Sequence, residues 1–360
     1  MFVDPSQGRA LCLQILHGQP TGRLLWYTTE WCISDLAKQA GYADGIDFMI
    51  RDLGCAAFEN LDYPFRLHVP QVQIVETHEG DALIREHRSP WGTLREVRRE
   101  GNRVVEHPVA DEQSLTTLAD MWEHLQVEVR PEVIDRLKKR VAGRGAVGCC
   151  TPTSSLQQMI QHELGIVNFW YAVADTPALV ERAMAGYQAA IQTAYDTLGR
   201  FDVDYFYQGE NTSTTAISPD FYGKYSLAQI RQYCQAARTA GKPAIVHMCG
   251  LLRDLLPLFP ATGLSGIDCL TPPPVGNCPF AEAYDAMPAG FFCTGRFNST
   301  FWVGKDRDQI LQGLAATVPH RVYRESPFIL IVTTDAVEGI TLENWRLLRD
   351  CINEYEEKAR

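Results

Sequence analysis

From about residue 111 to the C-terminus, short apolar runs alternate with longer segments whose apolar residues recur every three or four positions. Residues 244–248, 266–270, 291–295 and 328–334 read as strands in that order, with helical segments near 251–259, 280–287 and 305–318 between them. Asp175-Thr176-Pro177 opens a helix that buries Leu179, Val180, Ala183, Met184, Tyr187, Ile191, Ala194 and Leu198, with Gly199 at its end. Ser218-Pro219 opens the next, with Leu227, Ile230, Cys234 and Ala237 inward and Gly241 closing it. A last helix from Thr341 buries Trp345, Leu348, Ile352 and Tyr355.

Strand–helix alternation requires parallel strands joined by crossover helices, which leaves an open doubly wound sheet or a closed barrel. Residues 24–28 and 47–50 read as further strands and bring the count toward eight, and no glycine-rich dinucleotide loop follows the first. The expected fold is α/β, a (β/α)8 TIM barrel spanning residues 1–360 as one unit, a length that suits a barrel. The stretch 64–108 has a different texture. Leu67, Val69, Val72, Ile74, Leu83, Leu94, Val97 and Val104 alternate with polar residues. Turn signals interrupt it at Glu79-Gly80-Asp81, Ser89-Pro90-Trp91-Gly92 and Glu100-Gly101-Asn102. That pattern predicts an antiparallel β-meander inserted near the N-terminal end of the barrel.

Composition excludes several classes of function. A formal charge of −11 makes a nucleic-acid backbone a poor partner. The basic clusters at 95–103 and 136–144 read as an acid-interleaved surface and a solvated helix end. No run approaches the roughly 20 apolar residues of a membrane span, and residues 1–19 lack the pattern of a signal peptide. Eleven cysteines without framework spacing suit reduced thiols, so a cytoplasmic location is expected.

In a barrel of this kind, chemistry sits where strands end and the following loops begin. There the run Ala244-Ile245-Val246-His247-Met248-Cys249-Gly250 stands out. His247 and Cys249 are two apart, so on a strand both point to one face, and imidazole nitrogen and thiolate sulfur are good zinc ligands. A core histidine beside a structural cysteine fits the same letters, and both readings stay open here. A catalytic zinc needs a third protein ligand. Glu210, after residues 204–209, Cys293 within the 291–295 strand, and Asp335 after the 328–334 strand lie at other strand ends. Tyr207 and Asp335 are candidate catalytic groups. Tyr27, Arg296 and Phe297 are candidates for holding substrate, by stacking or by pairing with a carboxylate, and Trp26 and Tyr205 could also stack on an aryl group.

Residues 217–221 (Ile-Ser-Pro-Asp-Phe) and 241–250 (Gly-Lys-Pro-Ala-Ile-Val-His-Met-Cys-Gly) resemble the core of the uroporphyrinogen decarboxylase superfamily. Residues 271–277 (Thr-Pro-Pro-Pro-Val-Gly-Asn) and 339–344 (Gly-Ile-Thr-Leu-Glu-Asn) extend the likeness over about the last 170 residues. That superfamily holds porphyrinogen decarboxylases and zinc-dependent corrinoid methyltransferases, including thiol-directed enzymes and aryl-ether O-demethylases. The decarboxylases carry an arginine-rich segment after the first strand, whereas residues 25–32 here are Leu-Trp-Tyr-Thr-Thr-Glu-Trp-Cys. An anionic tetrapyrrole would lack its charge partners.

The resemblance therefore implies the methyltransferase branch: a methyltransferase moving a methyl group between a small methylated substrate, for instance an aryl methyl ether, and a corrinoid. The corrinoid, a methylcobamide, would be carried by a partner protein, and Zn2+ would act as Lewis acid. A cofactor-independent decarboxylase and a non-catalytic barrel that binds a corrinoid partner are the alternatives. In the thiol-directed branch a third zinc cysteine stands just before the 339–344 segment. The corresponding residue here is Thr334, a poor ligand, which leaves Glu210 or Cys293 as the expected replacement beside His247 and Cys249.

Overall fold

In the computed structural model, residues 5–60, 62–334 and 339–358 are described below. Fourteen strands are found among them. In chain order they are β1 (Leu25–Thr28), β2 (Phe58–Glu59), β3 (Phe65–His68), β4 (Gln73–Glu79), β5 (Ala82–Ser89), β6 (Gly92–Arg99) and β7 (Arg103–Glu106). Then follow β8 (Gln126–Val129), β9 (Ala146–Thr151), β10 (Tyr205–Gly209), β11 (Ala244–His247), β12 (Gly266–Leu270), β13 (Phe292–Phe297) and β14 (Phe328–Val332).

Eight of these strands form one parallel sheet in the order β1-β14-β13-β12-β11-β10-β9-β2. The Ala56 N–H donates to the Trp26 carbonyl at 2.8 Å just ahead of β2, which draws the two outer strands together into a nearly closed barrel. This is the expected TIM barrel. One of the eight strands is not where periodicity put it. Residues 47–50 lie inside a helix, Gly45–Arg51, because Asp44 caps it by accepting from the Asp47 N–H at 2.7 Å. The second barrel strand is instead the two-residue β2.

Alternation along the strands separates two apolar layers. Leu25, Tyr27, Phe58, Ala146, Tyr205, Ile245, Phe292, Ile329 and Ile331 fill the barrel. Trp26, Phe206, Val246, Cys293, Phe297, Leu330 and Val332 face outward and pack with residues of the surrounding helices such as Tyr187, Ile230 and Trp345. The helix Pro5–Leu16 contributes Cys12, Ile15 and Leu16 to the inner cluster and so plugs the end at which the strands begin. Arg9 fixes the plug through two 2.7 Å bonds to Asp204, whose carboxylate also accepts from the Val147 N–H.

The meander lies between β2 and β9 in the chain. Strands β4 to β7 form an antiparallel four-stranded sheet whose turns fall at the three signals read from the sequence. Strand β3 departs from it and pairs antiparallel with β8 instead. The arginines of the first basic cluster are paired with acids, Arg95 with Glu106, Arg98 with Glu96 and Arg99 with Asp81. In the second cluster Arg140 and Arg144 tie the helix Glu132–Val141 to Glu30, Glu59, Asp44 and Asp47, so that end is ion-paired more than solvated. Among the described residues no helix is long and apolar enough to cross a membrane.

Candidate active site

Strand β11 points Ile245 and His247 into the barrel and Ala244 and Val246 outward. Met248 continues the outward set, fully buried, and Cys249 packs against the inner cluster while remaining partly exposed. Hence His247 and Cys249 share the inner face at the mouth, close enough for each to shift the other's charge, and the Cys249 thiol donates to Asn211 Oδ1 at 3.8 Å. The following Gly250 is required by space. A Cβ there would stand 2.7 Å from both Cβ and Oγ of Ser213, on the loop after β10.

His247 Nδ1 lies 2.7 Å from Oδ2 of Asp268, on the neighbouring strand β12. Asp268 is buried and is the hub of the mouth. Its Oδ1 accepts from Tyr27 at 2.9 Å and from Thr294 at 2.5 Å, and its Oδ2 accepts from Tyr207 at 2.9 Å as well as from His247. Burial alone would raise the Asp268 carboxyl, but the His247 imidazolium and the hydroxyl donors outweigh it and hold the group below its usual range. For His247, burial disfavours the charge, yet Asp268 and Cys249 push it well up. The Cys249 thiol is driven down, first by its hydrogen bond to Cys269 and then, against burial, by His247 and Arg296. Both shifts run in the direction that favours a thiolate beside an imidazolium, and the imidazole is oriented by a buried carboxylate.

Strand β12 brings two consecutive side chains inward. Its register with β13 slips by one residue between Ile267 and Leu270, and Cys269 has φ +66° within that bulge. Asp268 and Cys269 therefore both reach the inner cluster, and the Cys269 N–H donates to Thr294 Oγ1 at 2.6 Å. Neither residue stands out in the sequence. An acid inside the otherwise apolar run 266–270 was the available signal.

Of the residues expected at the site, the structure brings together His247, Cys249, Tyr27 and Tyr207. The hydroxyls of both tyrosines are committed to Asp268. Arg296, on the inner face of β13, donates to Thr333 at 3.2 Å and acts on both Cys249 and Cys269 through its charge. Four residues lie elsewhere. Glu210 follows the outward parity of Phe206 and Gln208 and is fully buried. Its carboxylate accepts from the Ser154 N–H (2.7 Å), the Ser154 hydroxyl (2.7 Å) and the Thr153 hydroxyl (3.0 Å), so it caps the loop after β9. Burial pushes its carboxyl up to about 7. Cys293 points outward to Tyr284, and Phe297 points outward to stack on Phe301 at 5.4 Å. Trp26, also outward, stacks on Trp345. Thr333 continues the inner face beyond β14, while the Thr334 hydroxyl is 3.6 Å from Cys32 Sγ. Asp335 lies outside the described residues. Among those described, no three His, Cys, Asp or Glu side chains stand arranged to hold a metal ion.

The inner cavity bordered by Tyr27, Phe58, Tyr205, Tyr207, Ile245, Asp268 and Phe292 has a volume of about 10 Å³. That is about the least a single water needs, so the space inside the barrel has no room for a larger molecule.

A parallel (β/α)8 barrel whose reactive groups stand at the C-terminal ends of its strands defines the class of barrel enzymes in which one face is scaffold and the other carries chemistry. Within that class, residues 93–355 match the uroporphyrinogen decarboxylase (URO-D) family profile, and the chain belongs to that family. No curated protein sequence matches the chain. Among solved structures, a methyltransferase from Methanosarcina mazei superposes with a TM-score of 0.61 at 12% identity, covering 97% of this chain and 98% of the other. An α-galactosidase from Saccharomyces cerevisiae matches with a TM-score of 0.40 at 11% identity, covering 98% of this chain and 66% of the other. A D-psicose 3-epimerase from Clostridium cellulolyticum H10 matches with a TM-score of 0.33 at 11% identity, covering 64% of this chain and 81% of the other.

Proposed function

We propose that the protein is a methyltransferase that moves a methyl group between a small methylated substrate and a corrinoid carried by a partner protein. The observation that carries this reading is the Cys249–His247–Asp268 chain at the mouth: a sulfur nucleophile or ligand, an imidazole, and a buried carboxylate that fixes which imidazole nitrogen faces out. The family and the full-length likeness to a methyltransferase fold support it.

The donor set suits zinc in chemistry. Asp268 accepts a hydrogen bond from the Nδ1–H of His247, which leaves Nε2 as the ligand atom, and a carboxylate behind a ligating histidine is the usual arrangement. His247 Nε2 and Cys249 Sγ would hold the ion. When bound, zinc supplies Lewis acidity at the ether oxygen or thiol sulfur that bears or receives the methyl group. Asp268 holds the proton on Nδ1, and Tyr27, Tyr207 and Thr294 keep Asp268 from turning. Arg296 places a positive charge beside the thiols, suited to an anionic substrate or leaving group. The filled barrel excludes water from beneath.

Metal analysis of protein purified without chelator or His-tag, together with methyl transfer from aryl methyl ethers and methyl thioethers to free cob(I)alamin, tests this reading. About one zinc per chain and transfer that disappears in both His247→Ala and Cys249→Ala are expected. Carbon dioxide release from a porphyrinogen without metal, or transfer that survives both substitutions, overturns it.

A further inference from the structure

A groove of about 410 Å³ separates the inserted meander from helices on the flank of the barrel and shares no residue with the mouth. Its walls come from both sides. Val72, Ile74 and Leu94 belong to the insertion, while Met121, Trp122 and Tyr187 come from the helices Glu112–Trp122 and Pro177–Tyr195. The volume falls in the range of small-molecule sites, and the lining is mainly apolar, as in such sites. Trp122 and Tyr187 lie together in one wall, their ring centroids 4.8 Å apart.

Glu163 enters this apolar setting on a π-helical turn. In an α-helix, residues five apart point in different directions. The turn Met159–Glu163 instead closes with the Leu164 N–H on the Met159 carbonyl at 2.9 Å, which sets Glu163 against Gln158, whose amide donates to its Oε1 at 2.9 Å. Arg66, at the edge of the groove, pairs with Glu128. Glu163 Oε2 and the imidazoles of His68 and His87 line the groove without a hydrogen-bond partner among the described residues. Burial lowers His87 and raises Glu163 to about 7, so both lean toward their uncharged forms.

We propose that this groove is a binding site for an uncharged aromatic alcohol of the phenol or naphthol class, its ring between the apolar walls and its hydroxyl turned to Glu163 and His87. A hydroxyl both donates and accepts, so it can answer a carboxyl and an imidazole in either protonation state. A carboxylate ligand would meet Glu163 with the nearest guanidinium, Arg66, already engaged by Glu128. An ammonium ligand would need Glu163 ionised, which burial opposes. Because the walls belong to both the insertion and the helices, an occupant also fastens one to the other. The site stands apart from the methyl-transfer reading and does not depend on it.

Isothermal titration of the full chain with 2-naphthol, naphthalene and 2-naphthoate tests the assignment. One 2-naphthol per chain is expected, bound roughly fivefold or more tightly than either of the others, the worth of a hydrogen bond. Val72→Trp, which adds bulk at a half-buried position of the wall, should weaken 2-naphthol roughly tenfold or more, whereas His247→Ala should leave its affinity unchanged. Glu163→Met should bring 2-naphthol and naphthalene to within about twofold of each other. Absence of 2-naphthol binding, equal binding of naphthalene or tighter binding of 2-naphthoate overturns the proposal. Loss of binding in His247→Ala also overturns it, since the ligand would then sit at the mouth. Should Val72→Trp lose its circular dichroism, the ratio of the two affinities in Glu163→Met decides alone.

Discussion

The 2.7 Å bond between His247 Nδ1 and Asp268 Oδ2 joins adjacent strands at the barrel mouth and fixes the imidazole that faces Cys249. Asp268 is buried, and Tyr27, Tyr207 and Thr294 occupy its remaining acceptor positions. Asp268→Asn keeps the shape and removes the charge. Metal affinity and transfer should fall roughly 10- to 100-fold, the usual effect of losing the partner behind a ligating histidine. The His247 pKa, followed by NMR of the metal-free protein, should drop, since Asp268 is the largest influence raising it. A His247 titration unchanged from wild type in the variant would show that Asp268 does not position the ring.

Glu210 offers a contrast between a ligand and a cap. Its carboxylate satisfies three donors around Ser154 at the start of the helical turn Ser155–Gln158. Glu210→Ala leaves the buried Ser154 N–H and hydroxyl without this acceptor, while Thr153 keeps its 2.6 Å bond to the Gly209 carbonyl. Unfolding in urea should show a loss of roughly 2–4 kcal/mol. Zinc content of the folded fraction should remain that of wild type. Loss of zinc with unchanged stability would return Glu210 to the ligand set.

These two carboxylates show how far the sequence could be read. The strand–helix alternation, the meander turns and the shared face of His247 and Cys249 follow from local periodicity, and all are found in the structure. Glu210 was legible as a strand-end acid, yet its direction depends on counting parity from Phe206, and strand ends blur that count by a residue. Asp268 and Cys269 were hidden by a β-bulge. Simple alternation gives one of two consecutive residues to the core, and only the slipped register with β13 gives both. Residues 47–50 failed as a strand because a capping aspartate three residues earlier decided the matter locally.

Glu163 carries a pH dependence separate from the mouth. It is a half-buried residue lining the groove between β3 and the helix Glu112–Trp122, and desolvation raises its carboxyl from 4.5 to about 7, with the Gln158 amide opposing. The folded chain then keeps a proton that the unfolded chain has released between about pH 4.5 and 7. Stability accordingly declines as pH rises through that window, and the full cost is present above it. Glu59 and Glu210, each also raised to about 7 by burial, act in the same direction. Glu163→Gln should therefore stabilise the protein at pH 8 by on the order of 1–3 kcal/mol and have little effect at pH 4.5. Urea midpoints at the two pH values check it, and an equal shift at both would exclude titration of Glu163 as the cause.

Gly250 tests whether the loop after His247 is positioned by packing. A methyl group at residue 250 would sit 2.7 Å from Cβ and Oγ of Ser213. Ser213 cannot simply turn aside, because its hydroxyl oxygen accepts from the Leu251 N–H at 3.1 Å and the Thr215 N–H at 3.2 Å. Gly250→Ala must instead push the 249–251 backbone away from the β10 loop, and Cys249 moves with it. A destabilisation of about 1–3 kcal/mol is expected from the overpacking. Co2+ charge-transfer intensity should fall as the Cys249 sulfur leaves its partners. Removing the obstacle distinguishes this from a backbone effect of alanine. In a double-mutant cycle, Ser213→Gly should recover part of the loss in Gly250→Ala, with a coupling of at least 0.5 kcal/mol. Strict additivity would mean that contact with Ser213 is not what demands glycine at this turn.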